Sequence, residues 1–288
     1  MHISRLVLFF IAGFFLMPGC ANNSDKKVGT VNNDSLKNGR ESEDSGSLTY
    51  ESCYENFFKG LPRFSDSSSA YLLLQDGKRK SLTQFFKDEF MSPISEYGLN
   101  DLDADGVMEL IIFNYTGGPH CCDEYFIFRQ KNERAFEYKA HLMGGQACID
   151  AVTHTISYSF SETLGYFFSC YACEFSDSSG TFKNIREIQL KYSGSKLKVI
   201  SYDTASERQN LANLAILQKH EYEKVEGMMD NGWRKEFAIN FAIWHYNHGK
   251  NWKKTKKLFD KYYDFQDEAR VWKEFHRTLI ESEKENSF

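Results

Sequence analysis

Between Asn100 and Arg129 the chain places two apolar runs, Leu110-Ile-Ile-Phe113 and Tyr125-Phe-Ile-Phe128, on either side of Gly117-Gly118. Such runs around a glycine turn bury their side chains as a hairpin within a larger sheet, so this stretch constrains the architecture around it. Ahead of the first run, Asp101, Asp103 and Asp105 set three carboxylates at alternate positions. Gly106 gives the backbone freedom for a sharp turn, and Glu109 stands at the strand entrance. Acids this close repel one another unless a cation lies among them. The expected cation is a single structural calcium, because the chain itself supplies the oxygen ligands. The competing reading is an Asx-rich turn without metal, since Asp and Gly populate turns anyway.

Counted from Asp101, the twelfth loop position is Ile112 rather than an acid, which rules out an EF-hand. The ninth is Glu109, and an acid there with a strand directly behind it resembles the loops of integrin-type (FG-GAP) repeat proteins. That resemblance implies a calcium ion joining neighbouring strands. The pattern occurs once, so a complete propeller is not implied. With Gly117-Gly-Pro-His-Cys-Cys122 added, residues 97–128 are similar to exported bacterial proteins that pair a DxDGxxEL loop with a GGxHCC turn, a resemblance that brings no activity with it.

The N-terminus carries His2 and Arg5, an unbroken apolar run from Leu6 to Met17, and then Pro18-Gly19-Cys20. The run is shorter than the roughly 20 residues of a spanning helix, and a small residue precedes the cysteine, as in an export signal. The segment resembles a bacterial lipoprotein signal, with Met17 where that family usually has Leu. The resemblance implies that residues 1–19 are removed and that the thiol of Cys20 is acylated. Ala21 rather than Asp after the cysteine implies, by likeness to Gram-negative lipoproteins, an outer-membrane location facing the periplasm. The competing reading is ordinary secretion with cleavage nearby. Residues 20–48 are rich in Asn, Ser, Asp, Lys and Gly and lack aromatics, so they read as a disordered tether. As a flexible coil, it would hold the folded part on the order of 30 Å from the lipid.

Of the seven cysteines, setting Cys20 aside leaves six: Cys53, Cys121, Cys122, Cys148, Cys170 and Cys173. An even number in an oxidising compartment predicts disulfides, with the pairing open. His120 beside Cys121 and Cys122, with Cys170 and Cys173, is the alternative donor set for zinc or copper. Cys170-Tyr-Ala-Cys173 has thiol-oxidoreductase spacing, yet it falls in an aromatic strand pattern rather than at a helix N-terminus. Redox catalysis is therefore not expected.

The fold class expected is α+β. Residues 49–203 form a mainly antiparallel meander or sandwich, and residues 204–288 form a helical bundle packed against or appended to it. Strands are predicted at 70–75, 110–115, 124–129, 136–143, 154–160, 165–175, 185–192 and 196–202. Ser81 and Gln84 have capping-box spacing before a short helix. Beyond Asp203 the apolar period becomes helical: Leu211, Leu214 and Ala215, then Trp233, Phe237, Phe241 and Trp244, then two further helices, the first capped by Asn251.

Hydrophobic residues make up 41% of 288 and aromatics 16%, enough for a sizeable core. The formal charge of -5 gives no global attraction to nucleic acid, and none is expected as a partner. Lys250, Lys253, Lys254, Lys256 and Lys257 around Trp252 read as a solvated helix face, or as a contact with an anionic surface. No GxSxG, HExxH or phosphate-cradling glycine loop is present. The expectation is a non-catalytic envelope protein, anchored in the membrane by lipid and stabilised by calcium and disulfides, that binds a protein or glycan partner. The alternative is a periplasmic hydrolase using two carboxylates in a cleft, for which paired acids outside residues 101–109 would be the mark.

Overall fold

The two apolar runs pair as predicted. β4 (Glu109–Gly118) lies antiparallel to β5 (Cys121–Asn132), with Leu110 opposite Phe128 and Ile112 opposite Phe126. The computed structural model describes residues 57–58, 62, 69–89, 95–118, 121–145, 147–150, 152–177, 180–194, 196–220 and 230–288. Cys20, Cys53 and His120, with the signal and tether segments, lie outside the described residues, as do the side chains of Cys121 and Cys122.

Around the hairpin are β1 (Tyr71–Leu73), β2 (Arg79–Ser81), β3 (Ser95–Asn100) and β6 (Ala135–Met143), in the order β2-β1-β6-β5-β4-β3. A second sheet, ordered β10-β9-β8-β7, contains β7 (Ala147–Asp150), β8 (Thr155–Ser159), β9 (Glu187–Ser193) and β10 (Lys196–Ile200). All pairings are antiparallel except β1 beside β6. The helices are α1 (Leu82–Glu89), α2 (Thr204–Lys219), α3 (Trp233–Asn247), α4 (Trp252–Tyr262) and α5 (Glu268–Glu285). This is the α+β class. Among the described residues, no helix is long and apolar enough to cross a membrane.

β4 is covered on both faces, which is why its sequence is a continuous apolar run rather than an alternation. Ile111 and Phe113 enter the main core, whereas Leu110 and Ile112 join Leu72, Leu82, Phe85, Phe128 and Phe136 in a smaller cluster under α1. Ser81 caps α1, its Oγ accepting from the Gln84 N–H at 3.1 Å. β9 alternates strictly: Ile188, Leu190 and Tyr192 point inward, while Glu187, Gln189 and Lys191 face solvent. One apolar cluster contains the inner residues of both sheets and those of α2 to α5, with Trp233, Phe237 and Phe241 of α3 fully buried in it.

Nearly every residue of α3 is buried, polar ones included. Asn210 and Asn213 of α2 both donate to Asn240 Oδ1 of α3, at 3.1 Å each. Asn240 donates in turn to Glu236 O at 2.8 Å. These amide bonds in an apolar interior fix one helix register, because a slip would break all of them, although Asn210 Oδ1 itself is buried without a partner among the described residues. Asp203 and Asn251 cap α2 and α4, each side chain accepting a backbone N–H of the first turn.

Residues 165–175 are not a strand. They form a series of turns whose backbone is clipped by a Cys170–Cys173 disulfide, with a single bridge from Ser169 to Asp230. The aromatic run that suggested a strand is instead a set of ring contacts between turns, with Phe167 edge-on to Phe168 at 4.9 Å and Tyr166 tilted against Tyr171 at 5.6 Å.

Candidate functional site

The acidic loop is a compact polar knot between the two sheets. Gly106 has φ +86°, the left-handed turn for which the glycine was read. Asp101 accepts the N–H groups of Asp105 (3.0 Å) and Gly106 (2.9 Å), and Asp105 accepts that of Val107 at 2.9 Å. Glu109, with 0% exposure, accepts the Leu102 N–H at 2.9 Å. Asp103 reaches across to the β9–β10 hairpin, its Oδ2 accepting the Gly194 N–H at 2.5 Å.

A residue outside the sequence motif enters this knot. Arg129 of β5 lies opposite Glu109 in the ladder and donates to Glu109 Oε1 at 2.9 Å. It pairs also with Asp105, and its Nη1 stands 3.6 Å from Asp103 Oδ2. The guanidinium supplies part of the positive charge that the crowded carboxylates require. The Asp105 carboxyl is held below its usual range, chiefly by Arg129. Burial pushes Glu109 up to about 7 against the Leu102 N–H, which favours its charge.

The remaining donors still suit a hard cation. Asp101, Asp103 and Glu109 each offer an oxygen within 4.8 Å of the others. The Asp103 side chain is only 10% exposed, and its Oδ1 is buried with no partner among the described residues. An orphaned buried carboxylate oxygen costs about 1–3 kcal/mol, and an ion between these three groups would satisfy it.

The disulfide readings fall partly within the described residues. Cys170 and Cys173 are bonded to each other, and Cys148 is also oxidised. Cys53 and the side chains of Cys121 and Cys122 lie outside them.

The 160–175 segment builds a second site. With the outer face of α5 it encloses a cleft of about 630 Å³. Tyr166, 58% exposed, stands at its mouth. Buried charges pin the segment from behind. Lys235 donates to Cys170 O at 3.3 Å and Tyr171 O at 2.8 Å, while Ser169 donates to Asp230 O at 3.1 Å. Phe168 takes φ +50°, a strained setting for a bulky residue, and its ring lies beneath the guanidinium groups of Arg270 (4.8 Å) and Arg234 (5.5 Å). Such strain costs about 1–3 kcal/mol and persists only where surrounding contacts fix it. Gly165 lets the Tyr171 ring close over the backbone, since a Cβ there would meet the ring at 2.6 Å and Ser161 O at 2.4 Å.

The pair of acids outside the loop joins this segment to β5. The Asp123 N–H donates to Glu162 Oε2 at 3.3 Å, and Glu162 lines the cleft. Asp123 is 3% exposed, and its Oδ2 is buried without a partner among the described residues. Burial first, then the Glu162 charge, push Asp123 up to about 7; burial raises Glu162 as well. Folding therefore favours the protonated Asp123. That stability is fully present below the unfolded value of about 4 and is lost as pH rises through about 7. Each pKa unit is worth about 1.4 kcal/mol, so relaxation around the charge leaves a loss on the order of 2 kcal/mol. Melting temperatures of the parent chain should fall between pH 4 and pH 7, and Asp123→Asn should flatten the slope. Equal slopes would remove Asp123 as the group responsible.

Two further histidines are held in place structurally. His245 is fully buried, with Nδ1 2.7 Å from Thr255 Oγ1 and Nε2 3.1 Å from Glu283 Oε1. His141 bridges Glu124 Oε1 (2.9 Å) and Glu285 O (2.8 Å). Of the lysine run, Lys256 pairs with Asp260 and Glu268, Lys250 lies half-buried near the Tyr246 and Phe288 rings, and Lys253, Lys254 and Lys257 are exposed.

Arg129 was not legible by counting, because equal steps from the innermost pair, Gly118 and Cys121, set Glu109 opposite Gln130, and only the register shift between Tyr115 and Gly118 brings Arg129 there. Asp123 and Glu162 had no signal either, being brought together by the fold across 39 residues of sequence. Comparison with known protein families, with curated proteins and with solved structures gives no match.

Proposed function

We propose that the protein is a lipid-anchored, non-catalytic component of a bacterial cell envelope, held through Cys20 in the outer membrane and facing the periplasm, whose folded part binds a protein or glycan partner. The observation that carries the binding role is the 160–175 segment. An irregular stretch is fixed by a disulfide, a buried lysine and a strained Phe168, and it holds an exposed tyrosine over a cleft. Irregular loops held rigid by a scaffold are where binding residues concentrate. The test is affinity capture from envelope extracts with the full chain and with a Tyr166→Ala chain. Loss of the captured species in the variant is expected. Equal capture by both would move binding elsewhere.

Anchoring is tested on Cys20 itself. Two or more acyl chains give stable membrane association, at about 0.8 kcal/mol per buried methylene. Cys20→Ser should therefore release nearly all of the protein into the soluble fraction. A mature N-terminus that mass spectrometry finds elsewhere and unmodified would end the lipoprotein reading.

Calcium is the ion proposed for Asp101, Asp103, Asp105 and Glu109. The orphaned Asp103 oxygen supports this reading, and the presence of Arg129 sets its limit, since the guanidinium already meets part of the demand. Binding at about 100 times the dissociation constant adds roughly 2.7 kcal/mol. At about 2 to 4 °C per kcal/mol, that is a rise of roughly 5 to 10 °C in melting temperature. Chelator should reverse the rise, and Asp103→Ala should abolish it. Coincident melting curves with calcium and with chelator would reduce the loop to a turn closed by Arg129.

A second reading, hydrolysis by carboxylates in a cleft, is favoured by the Asp123 and Glu162 pair outside the acidic loop. Glu162 reaches the cleft whereas Asp123 is sealed beneath it and meets Glu162 through its backbone N–H, which suits a structural support better than two acids flanking a substrate bond. New reducing ends released from glycans by the parent chain and not by Glu162→Gln would reverse that preference.

A further inference from the structure

We propose that the cleft between residues 160–175 and α5 is a binding site for a neutral oligosaccharide, with Tyr166 as its stacking platform and Glu162 as a hydrogen-bond acceptor. The inference deepens the binding role proposed above and rests on it.

The lining charges oppose one another in equal number, with Arg270, Lys273 and Arg277 set against Glu162, Glu274 and Glu281. Arg277 is already engaged by Glu274 and, at 2.7 Å, by Glu281. A phosphorylated or otherwise anionic ligand needs an excess of cationic donors, as a cationic ligand needs an excess of carboxylates, and this lining offers neither. It does offer donors and acceptors side by side along one face of α5 together with the exposed Tyr166 ring, while Phe167 is buried and Phe168 lies beneath the Arg270 and Arg234 guanidinium groups. A ligand matching both the polar lining and the Tyr166 ring carries many hydroxyl groups and has an apolar C–H face, which is the chemistry of a sugar ring.

Size and rigidity point the same way. A cleft of about 630 Å³ is in the range of small-ligand sites, whereas a protein partner is held by an interface of about 800 Å² on each side. Tyr166 leans on Tyr171, whose ring is seated on Gly165, so its exposed face is held without help from a ligand. Preorganisation of this kind lowers the entropic cost of binding to a concave site.

The experiment is a binding screen of the full chain in detergent micelles against immobilised neutral oligosaccharides, amino-sugar oligomers such as chitotetraose, their sialylated and phosphorylated counterparts, and unrelated peptides. Hits are titrated by calorimetry. Neutral oligosaccharides are expected to bind, Tyr166→Ala to weaken them roughly tenfold, and Tyr166→Trp to retain them. Tyr166 is mostly exposed, so the variants should melt at the parent temperature, which guards against a folding artefact. The proposal is overturned if no neutral oligosaccharide binds, if binding is unchanged in Tyr166→Ala, or if only charged glycans or peptides bind. Capture of an envelope protein that depends on Tyr166, without oligosaccharide binding, would overturn the sugar assignment while leaving the binding role intact.

Discussion

Replacing Arg129 by Met is expected to destabilise the calcium-free protein by about 3–5 kcal/mol, the range for removing one partner of a buried ion pair. Met keeps most of the length and the apolar stem, so the charge is what the variant tests. Without it, the fully buried Glu109 retains the Leu102 N–H and loses its counter-charge, with Asp103 beside it. At about 2 to 4 °C per kcal/mol, the melting temperature should drop by roughly 6 to 20 °C. Calcium then separates two accounts of the loop. If the carboxylates are metal ligands, the ion should restore most of the lost stability and should bind Arg129→Met more tightly than the parent chain, because the competing guanidinium is gone. If the loop is a turn closed by Arg129, calcium should leave the variant as unstable as before. A variant as stable as the parent without calcium would mean that Arg129 contributes little to the knot.

What was legible in the sequence follows from how local each signal is. The β4–β5 hairpin was readable because its turn and its two apolar runs are contiguous, and the period-two pattern of β9 because one of its faces is solvated. Asn251 and Ser81 act as caps over three residues, a range at which residue type alone decides. β7 was missed because four residues, Ala147 to Asp150, are too few to show a period, and β3 because Gly98 interrupts it. The error at residues 165–175 has a different origin. Aromatic density was read as β propensity, whereas the rings serve irregular backbone whose hydrogen bonds run to Lys235 and Asp230, more than 60 residues away. Of the candidate sites, the acidic loop was visible as a motif and its counter-ion was not. The cleft was invisible, because it is assembled from two segments that only the shared core brings together.

Replacing Arg234 by Met should have the other large effect, because Arg234 ties the cleft segment to the helical core. It is 7% exposed at the buried start of α3. It donates to Asp230 Oδ2 at 3.2 Å, to Asp267 Oδ2 at 2.5 and 2.9 Å, and to the Tyr263 hydroxyl at 3.2 Å, while its guanidinium covers one side of Phe168. Asp230 is itself buried, and burial raises its carboxyl despite the N–H groups of Gly232 and Arg234 that favour its charge. Loss of the guanidinium leaves that carboxylate short of positive charge, so a cost of about 3–5 kcal/mol is expected. Asp230 also accepts from Ser169 through its backbone carbonyl and donates its N–H to Phe168 O at 3.0 Å, so the damage should spread into the cleft wall. Hydrogen exchange at the amides of residues 166–171 should accelerate more than that of β9, which the network does not touch. Combining Arg234→Met with Asp230→Asn should cost less than the sum of the single changes, by about 0.5–3 kcal/mol, because the second change removes the charge that the first leaves stranded. Additive costs, or unchanged exchange in residues 166–171, would show that Arg234 stabilises α3 without holding the cleft.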